Sequence, residues 1–182
     1  MAWMRSSSDR EVFLKLLSAG PDERVLDVGA GKGAVARRVK ASGAGEVHAL
    51  DPNQKNVAAM QRDSPEVKAC VAGAERIPYP DSFFNKVYTT MALHHFSDLD
   101  RALAEIARVL KPGGSLLILD VDPNRGRGRV MLFIENSLFR RHLTFMQRDQ
   151  LVERLKATQT FDVSESRVGG SGYFVLCVKR AH

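Results

Sequence analysis

Three groups of residues in this 182-residue chain have the types and spacing for chemistry. The first is Val25-Leu26-Asp27-Val28-Gly29-Ala30-Gly31-Lys32-Gly33, with Asp51 further on. A short apolar run enters three glycines on alternate positions. Glycine lets a strand turn sharply into a helix and lets a nucleotide-like ligand approach bare backbone. Asp51 closes the next apolar run at a spacing of about 20 residues, where an acidic ribose ligand sits. The second group is His94-His95, which follows the run ending at Met91. Imidazole is the side chain suited to move a proton near neutral pH; the structural alternative is a ring that satisfies loop backbone ahead of Ser97. The third lies between Asn124 and Arg148, where Arg125, Arg127, Arg129, Arg140, Arg141 and Arg148 stand against Glu135 alone. Arg125, Arg127 and Arg129 alternate with Gly126 and Gly128 and read as an anion-binding loop. Met131, Leu132, Phe133, Ile134, Leu138 and Phe139 follow as an apolar stretch. A solvated loop followed by a packed helix is the structural alternative.

The glycine loop by itself admits more than one ligand. A phosphate-cradling P-loop is excluded, because Lys32 is followed by Gly33 and not by the hydroxyl residue that holds magnesium. A dinucleotide fits better, since Gly29-Ala30-Gly31-Lys32-Gly33-Ala34 satisfies G-x-G-x-x-A. No metal site is expected. Cys70 and Cys177 lie far apart, match no ligand spacing, and are expected as buried free thiols of a reducing cytosol.

These groups need a frame. Ser8-Asp9-Arg10-Glu11 reads as a capping box for a short helix carrying Val12, Phe13, Leu16 and Leu17. Strands are expected over 24–28, 46–50, 67–71, 86–91 and 115–120, with helices over 33–41 and 54–62 between the first three. Ser97 is expected to cap a helix whose apolar face carries Leu99, Leu103, Ile106 and Leu110. Lys111-Pro112-Gly113-Gly114 is expected to stop that helix. Thr144 and Gln147 form a second capping-box pattern before a helix over 147–156, and strands over 161–167 and 172–178 close the chain. Alternating strands and helices followed by a strand pair imply a Rossmann-like, doubly wound α/β sheet of seven strands. It is mostly parallel, has an antiparallel final strand, here expected at the edge, and carries helices on both faces. Ligands of such sheets sit at the carboxyl ends of the strands, and each group above leaves such an end.

The order of motifs narrows the choice. Asp27-Val28-Gly29-Ala30-Gly31-Lys32-Gly33 is followed by Leu50-Asp51-Pro52, then by Gly73-Ala74-Glu75-Arg76-Ile77-Pro78-Tyr79-Pro80-Asp81. Ala92-Leu93-His94-His95-Phe96 and Arg108-Val109-Leu110-Lys111-Pro112-Gly113-Gly114 come next. This series, over 24–121, resembles the class I S-adenosylmethionine-dependent methyltransferases, in particular the type 11 group that includes quinone-biosynthesis C-methyltransferases. The resemblance implies S-adenosyl-L-methionine as cofactor, held by Asp27, Gly29, Ala30, Gly31, Asp51, Pro52, Ala74, Glu75 and Met91. Asp51 would accept the ribose hydroxyls, Asp27 would orient the methionine amino group directly or through water, and Met91 would line the cofactor near its sulfur. Asp27 as a loop brace is the structural alternative. One position departs from the family: Gly73 stands where an aspartate commonly receives the adenine amino group. That bond must be absent or replaced by backbone at Ala74, at a cost of about 1 kcal/mol. Glu75 is read as a ligand or as a brace of its loop, Asn85 in place of the family's aspartate as structural, and Tyr88 as core.

Methyl transfer from a sulfonium needs alignment and exclusion of water, and a base only where the acceptor loses a proton. His94 is the first candidate for that base and His95 the second, with Arg125, Arg127 and Arg129 as substrate residues. A small-molecule acceptor with an anionic or apolar part is favoured. RNA or protein acceptors are alternatives, and an NAD-dependent oxidoreductase or a non-catalytic cofactor-binding module are rivals from other classes. The net charge of +6 permits nucleic acid, but no aromatic is interleaved with Arg125–Arg129 for stacking. No apolar run reaches the roughly 20 residues of a membrane span, so any membrane contact is peripheral. The expected organisation is one domain over 1–182: an N-terminal helix (1–23), a cofactor-binding core (24–121), a basic substrate-side segment (122–148), and a closing helix and strand pair (149–182). It is expected to be cytoplasmic, as a monomer or homodimer.

Overall fold

The computed structural model describes residues 7–124, 145–169 and 172–181. Its elements, in chain order, are α1 (Ser7–Leu17), β1 (Arg24–Val28), α2 (Ala34–Ala41), β2 (Glu46–Asp51), α3 (Gln54–Asp63), β3 (Lys68–Val71) and β4 (Phe84–Thr90). A 3-10 turn (Leu93–His95), α4 (Leu99–Val109), β5 (Leu110–Val121), α5 (Arg148–Ala157), β6 (Phe161–Gly169) and β7 (Gly172–Lys179) follow. The strands form one sheet in the order β3-β2-β1-β4-β5-β7-β6. β7 alone is antiparallel to its neighbours; the pairs β3-β2, β2-β1, β1-β4 and β4-β5 are parallel. The expected antiparallel final strand is there, but it lies between β5 and β6 and not at the edge. The chain winds outward from β1 in both directions, so the β1/β4 boundary is the switch point where a ligand crevice opens.

Strand alternation divides the core. Val25 and Tyr88 point to one face, under Phe13 and Leu17 of α1, Val35, Ala36 and Val39 of α2 and Met60 of α3. Leu26, Val28, Val87, Leu116 and Ile118 point to the other, under Leu103 and Ile106 of α4 and Leu151 and Leu155 of α5. Tyr88 is fully buried, as expected for core, with Phe13 edge-on to its ring at 5.4 Å.

Several local expectations shift. Ser8 lies inside α1, which already runs from Ser7. Asp98, not Ser97, caps α4: its Oδ1 accepts the Arg101 N–H at 3.0 Å, while the Ser97 hydroxyl is taken up by Glu75. Before α5 the reciprocal residue is Gln150, whose side chain accepts the Gln147 N–H at 3.0 Å; Thr144 lies outside the described residues. Lys111-Pro112-Gly113-Gly114 lies within β5 as a bulge, because Phe84 pairs with Leu110 and Lys86 with Ser115. Asn85 fills the gap. Its Oδ1 accepts the Arg24 N–H and the Lys111 ammonium, both at 3.1 Å, which gives this departure its structural reason.

Arg108 fastens the 76–81 loop to α4. Its guanidinium donates to the Ile77 carbonyl at 2.9 Å, the Tyr79 carbonyl at 2.8 Å and Asp81 at 2.8 Å, and forks onto Glu105. Glu105 in turn accepts the Ile77 N–H at 2.8 Å. A lysine cannot span this fork. Arg108→Lys is expected to lower the unfolding free energy by about 2 kcal/mol in urea titrations.

Candidate active site

The carboxyl ends of β1 and β2 are joined by backbone. Gly29 and Ala30 both donate to the Leu50 carbonyl, at 2.9 and 3.0 Å, and the Gly31 N–H donates to Asp51 Oδ2 at 2.8 Å. Gly29 has φ +78°, and a Cβ on it would stand 2.5 Å from the Ala92 Cβ. The loop after β4 is therefore packed straight onto the glycine loop. Gly31, with φ +56°, is different: nothing lies within 4 Å of where its Cβ would be. A ligand has open access to backbone there.

Asp51 is 7% exposed. Besides Gly31, it accepts from the Asn53 N–H at 2.9 Å and the Asn56 amide at 3.0 Å, both on Oδ1. Three of the roughly four acceptor positions of a carboxylate are thus in use. A vicinal diol taking both oxygens must displace at least one of these partners. Pro52, beside it, is exposed.

Asp27 is fully buried, and its register partner on β4 is Tyr88. Both carboxylate oxygens lack a hydrogen-bond partner among the described residues, as does the Tyr88 hydroxyl. Burial pushes the Asp27 carboxyl up to about 7; the Tyr88 hydroxyl offsets part of this and the Asp51 charge adds to it. A buried carboxyl with only the Tyr88 hydroxyl to offset its burial is costly to ionise.

The loop after β3 behaves differently. Glu75 Oε1 accepts the Ser97 N–H at 2.7 Å, the Ser97 hydroxyl at 2.8 Å and the Asp98 N–H at 3.3 Å. Burial works to raise its carboxyl, but these donors outweigh it and hold it below the usual range. Glu75 therefore acts as a brace between two loops. Ala74 is buried and Gly73 half-buried beside it; a Cβ at Gly73 would stand 3.0 Å from Glu75 Oε2. Met91, at the end of β4, takes φ +54° and donates its N–H to the Leu119 carbonyl at 2.8 Å. A non-glycine residue held there costs about 1–3 kcal/mol.

His94 and His95 part company. His95 is exposed. His94 is 2% exposed, and its Nδ1 lies 2.7 Å from Asp120 Oδ1. The ring is held by a carboxylate and not, as the structural alternative had it, by loop backbone. Asp120 also accepts the His94 N–H at 3.2 Å and the Val121 N–H at 2.7 Å. Phe145 stacks on the His94 ring at 4.5 Å and 14°. The His94 Nε2 and the hydroxyl of Tyr173, register partner of Asp120, are buried without partners among the described residues. Sequence reading gave Asp120, Phe145 and Tyr173 no place here. The available signal for Asp120 was a carboxylate ending a central strand that is otherwise apolar. Arg125, Arg127 and Arg129 lie outside the described residues. Cys70 and Cys177 are both free thiols, but only Cys177 is buried as expected; Cys70 is half-buried, its Sγ 3.9 Å from the Tyr79 hydroxyl. Among the described residues there is no cluster able to hold a metal ion and no helix long and apolar enough to cross a membrane.

Comparison with known proteins gives a consistent picture. The family described as "Methyltransferase domain" matches residues 26–118. The ubiquinone/menaquinone biosynthesis C-methyltransferase of Bordetella parapertussis is 39% identical over 107 residues, covering 55% of this chain and 41% of that protein. The matched span is thus about two fifths of the length of the curated relatives. An S-adenosylmethionine-dependent methyltransferase structure from Methanosarcina mazei superposes with a TM-score of 0.78 at 18% identity, over 94% of this chain and 98% of its own. The YcgJ protein of Bacillus subtilis superposes with a TM-score of 0.76 at 20% identity, over 95% and 98%. At such identities the superpositions establish the fold.

Proposed function

The chain belongs to the methyltransferase-domain family, whose cofactor is S-adenosylmethionine, and on that premise we propose that it transfers a methyl group to a small-molecule acceptor. One observation carries the reading: an unpartnered, fully buried Asp27 beneath a glycine loop whose Gly31 backbone is open. Gly29, Ala30 and Gly31 would hold the amino-acid portion, with Asp27 facing the ammonium. Asp51 and Pro52 would take the ribose, Ala74 the adenine edge, and Met91 the region of the sulfur. Glu75 would act through the loops that it braces. The cofactor supplies a methyl group already activated on a sulfonium. The residues of the chain bind, orient and exclude water, which is most of what such a displacement asks of them.

The small-molecule acceptor is supported by the curated relatives, whose printed activity is C-methylation in quinone biosynthesis. Arg125, Arg127 and Arg129 remain our candidates for an anionic part of the acceptor. A cytoplasmic location accords with two free thiols; light scattering of the purified protein decides between monomer and homodimer.

S-adenosylhomocysteine is expected to raise the melting temperature at millimolar concentration while NAD leaves it unchanged. Stabilisation by NAD alone would turn the reading to the oxidoreductase, and stabilisation by neither to a non-catalytic module. Lacking the adenine-binding aspartate at position 73, the protein is also expected to discriminate weakly at the base. Replacing adenine by a purine without the amino group should change affinity less than about threefold in calorimetric titrations.

A further inference from the structure

We propose that the outer face of α2 and α3 docks the phosphodiester backbone of a nucleic-acid duplex. The inference goes beyond the methyltransferase reading and does not depend on it. The two helices carry Arg37, Arg38, Lys40, Lys55 and Arg62 against one acid, Asp63. Lys32 precedes them in the glycine loop, and every one of these cations except Lys40 is exposed. They share one surface. The Arg62 guanidinium, and then the charges of Arg37 and Lys32, hold the Asp63 carboxyl below its usual range. Arg37 also reaches across to the exit of α3, donating to the Ser64 hydroxyl at 3.3 Å. Met60 of α3 packs on Gly33 so closely that a Cβ there would stand 2.5 Å from the Met60 Cγ. Lys55 and Arg62 are two turns apart on one side of α3. The basic surface therefore runs without a break from the glycine loop to the end of α3.

These charges are not neutralised within the fold. Among the described residues, the side chains of Lys32, Arg38 and Lys55 make no hydrogen bond and no ion pair. Arg37 meets the neutral Ser64, and Lys40 meets the carbonyls of Ala44 and Gly45. The opposite face of the sheet is built differently. There Arg154 pairs with Asp100, Arg108 with Glu105, Arg148 with Asp149 and Lys156 with Glu153. Cations gathered without counterions repel one another. A partner with many closely spaced negative charges relieves that repulsion across the whole face at once.

The residues between the cations select the partner. The other exposed, uncharged positions on α2 and α3 are Ala41, Gln54, Ala58 and Gln61. The large apolar side chains exposed among the described residues, Val12, Val71 and Val178, lie on other elements. Stable attachment to a bilayer takes an inserted apolar group or chain besides the charges, and this face offers none. Single strands are held by bases stacked on aromatic side chains, which this face also lacks. A duplex requires neither. It presents one phosphate charge about every 1.7 Å of its axis, and Lys and Arg suffice to hold it. Contacts of this kind carry no sequence information, so any mixed-sequence duplex should bind.

The test follows fluorescence anisotropy of short labelled RNA and DNA duplexes, with oligouridine and phosphatidylserine-containing vesicles as competing probes. Wild type is expected to bind both duplexes and to lose roughly 100-fold in affinity between about 50 and 200 mM salt, as about four phosphate contacts require. The triple variant Arg37→Gln, Arg38→Gln, Lys55→Gln is expected to lose at least about tenfold at the lower salt, together with most of the salt dependence. Arg38→Gln and Lys55→Gln singly break no contact in the fold, and each should lower the salt slope by about one. A second triple variant, Lys156→Gln, Arg167→Gln, Arg180→Gln, removes the same charge from α5, β6 and the chain after β7. It should leave affinity and slope unchanged. S-adenosylhomocysteine binding is expected to match wild type in every variant; its absence from wild type would fail the methyltransferase reading and leave the duplex result standing. Equal losses in the two triple variants, or no loss in the first, overturn the proposal. So does a wild type that binds neither duplex at the lower salt, prefers oligouridine, or binds the vesicles in place of the duplexes.

Discussion

Gly29→Ala is expected to abolish S-adenosylhomocysteine binding and to lower the unfolding free energy by about 3 kcal/mol. Two costs combine. At φ +78° an alanine adopts a left-handed backbone that costs about 1–2 kcal/mol. Its Cβ would also stand 2.5 Å from the Ala92 Cβ, a contact that neither rigid methyl can yield by rotation. The loop after β4 must then back away, carrying Met91 and His94 with it. Ala92→Gly in the same chain removes the second cost and leaves the first. The double variant should therefore recover about half of the lost stability, as a non-additive pair in a mutant cycle read by urea denaturation. Additive losses would show that the two loops are not in contact.

The second large effect belongs to Asp27. Burial raises its carboxyl from 3.8 in the unfolded chain to about 7 in the fold. The folded state therefore binds the proton more tightly, and stability is lost as pH rises from the unfolded value to the folded one. Asp27→Asn cannot titrate. The stability of wild type relative to Asp27→Asn is expected to fall by about 4 kcal/mol between pH 4 and pH 8, flattening above 7. Measuring the difference at each pH cancels the acid titration of the surface carboxylates. A bound ammonium group reverses the sign of this burden, because it favours the ionised form. S-adenosylhomocysteine affinity should therefore rise with pH through about 7 in wild type and stay flat, and weaker, in Asp27→Asn. A pH-independent difference in stability would mean that Asp27 is solvated in the fold.

Sequence order carried the α/β frame because each strand–helix unit declares itself locally. Apolar runs of β-branched residues end in glycine or aspartate, and helical faces such as Leu103 and Ile106 recur at helical spacing. The glycine loop and Asp51 were legible for the same reason: each needs only neighbours in sequence to be recognised. Asp120 and Tyr173 were not. Their meaning depends on β5 lying beside β4 and on β7 pairing with β5, facts of tertiary pairing that no local pattern encodes. Glu75 shows the opposite limit. A carboxylate in a motif can be a ligand or a brace, and only the three donors converging on Oε1 reveal the bracing. The shift of the α4 cap from Ser97 to Asp98 is part of the same fact, because Glu75 already occupies Ser97.

The place of β7 has a kinetic consequence. It follows β6 in the chain yet separates β5 from β6 in the sheet. Until β7 has been made, β5 presents an open edge and β6 has no strand to pair with. β7 must then insert between two segments, one of them over 50 residues earlier in the chain. Pairing so distant in sequence is slow, and open edges invite other chains meanwhile. The half of the sheet that carries Asp120 and Tyr173 is thus the part whose assembly waits longest during synthesis, and the part most exposed to misassociation when folding is interrupted.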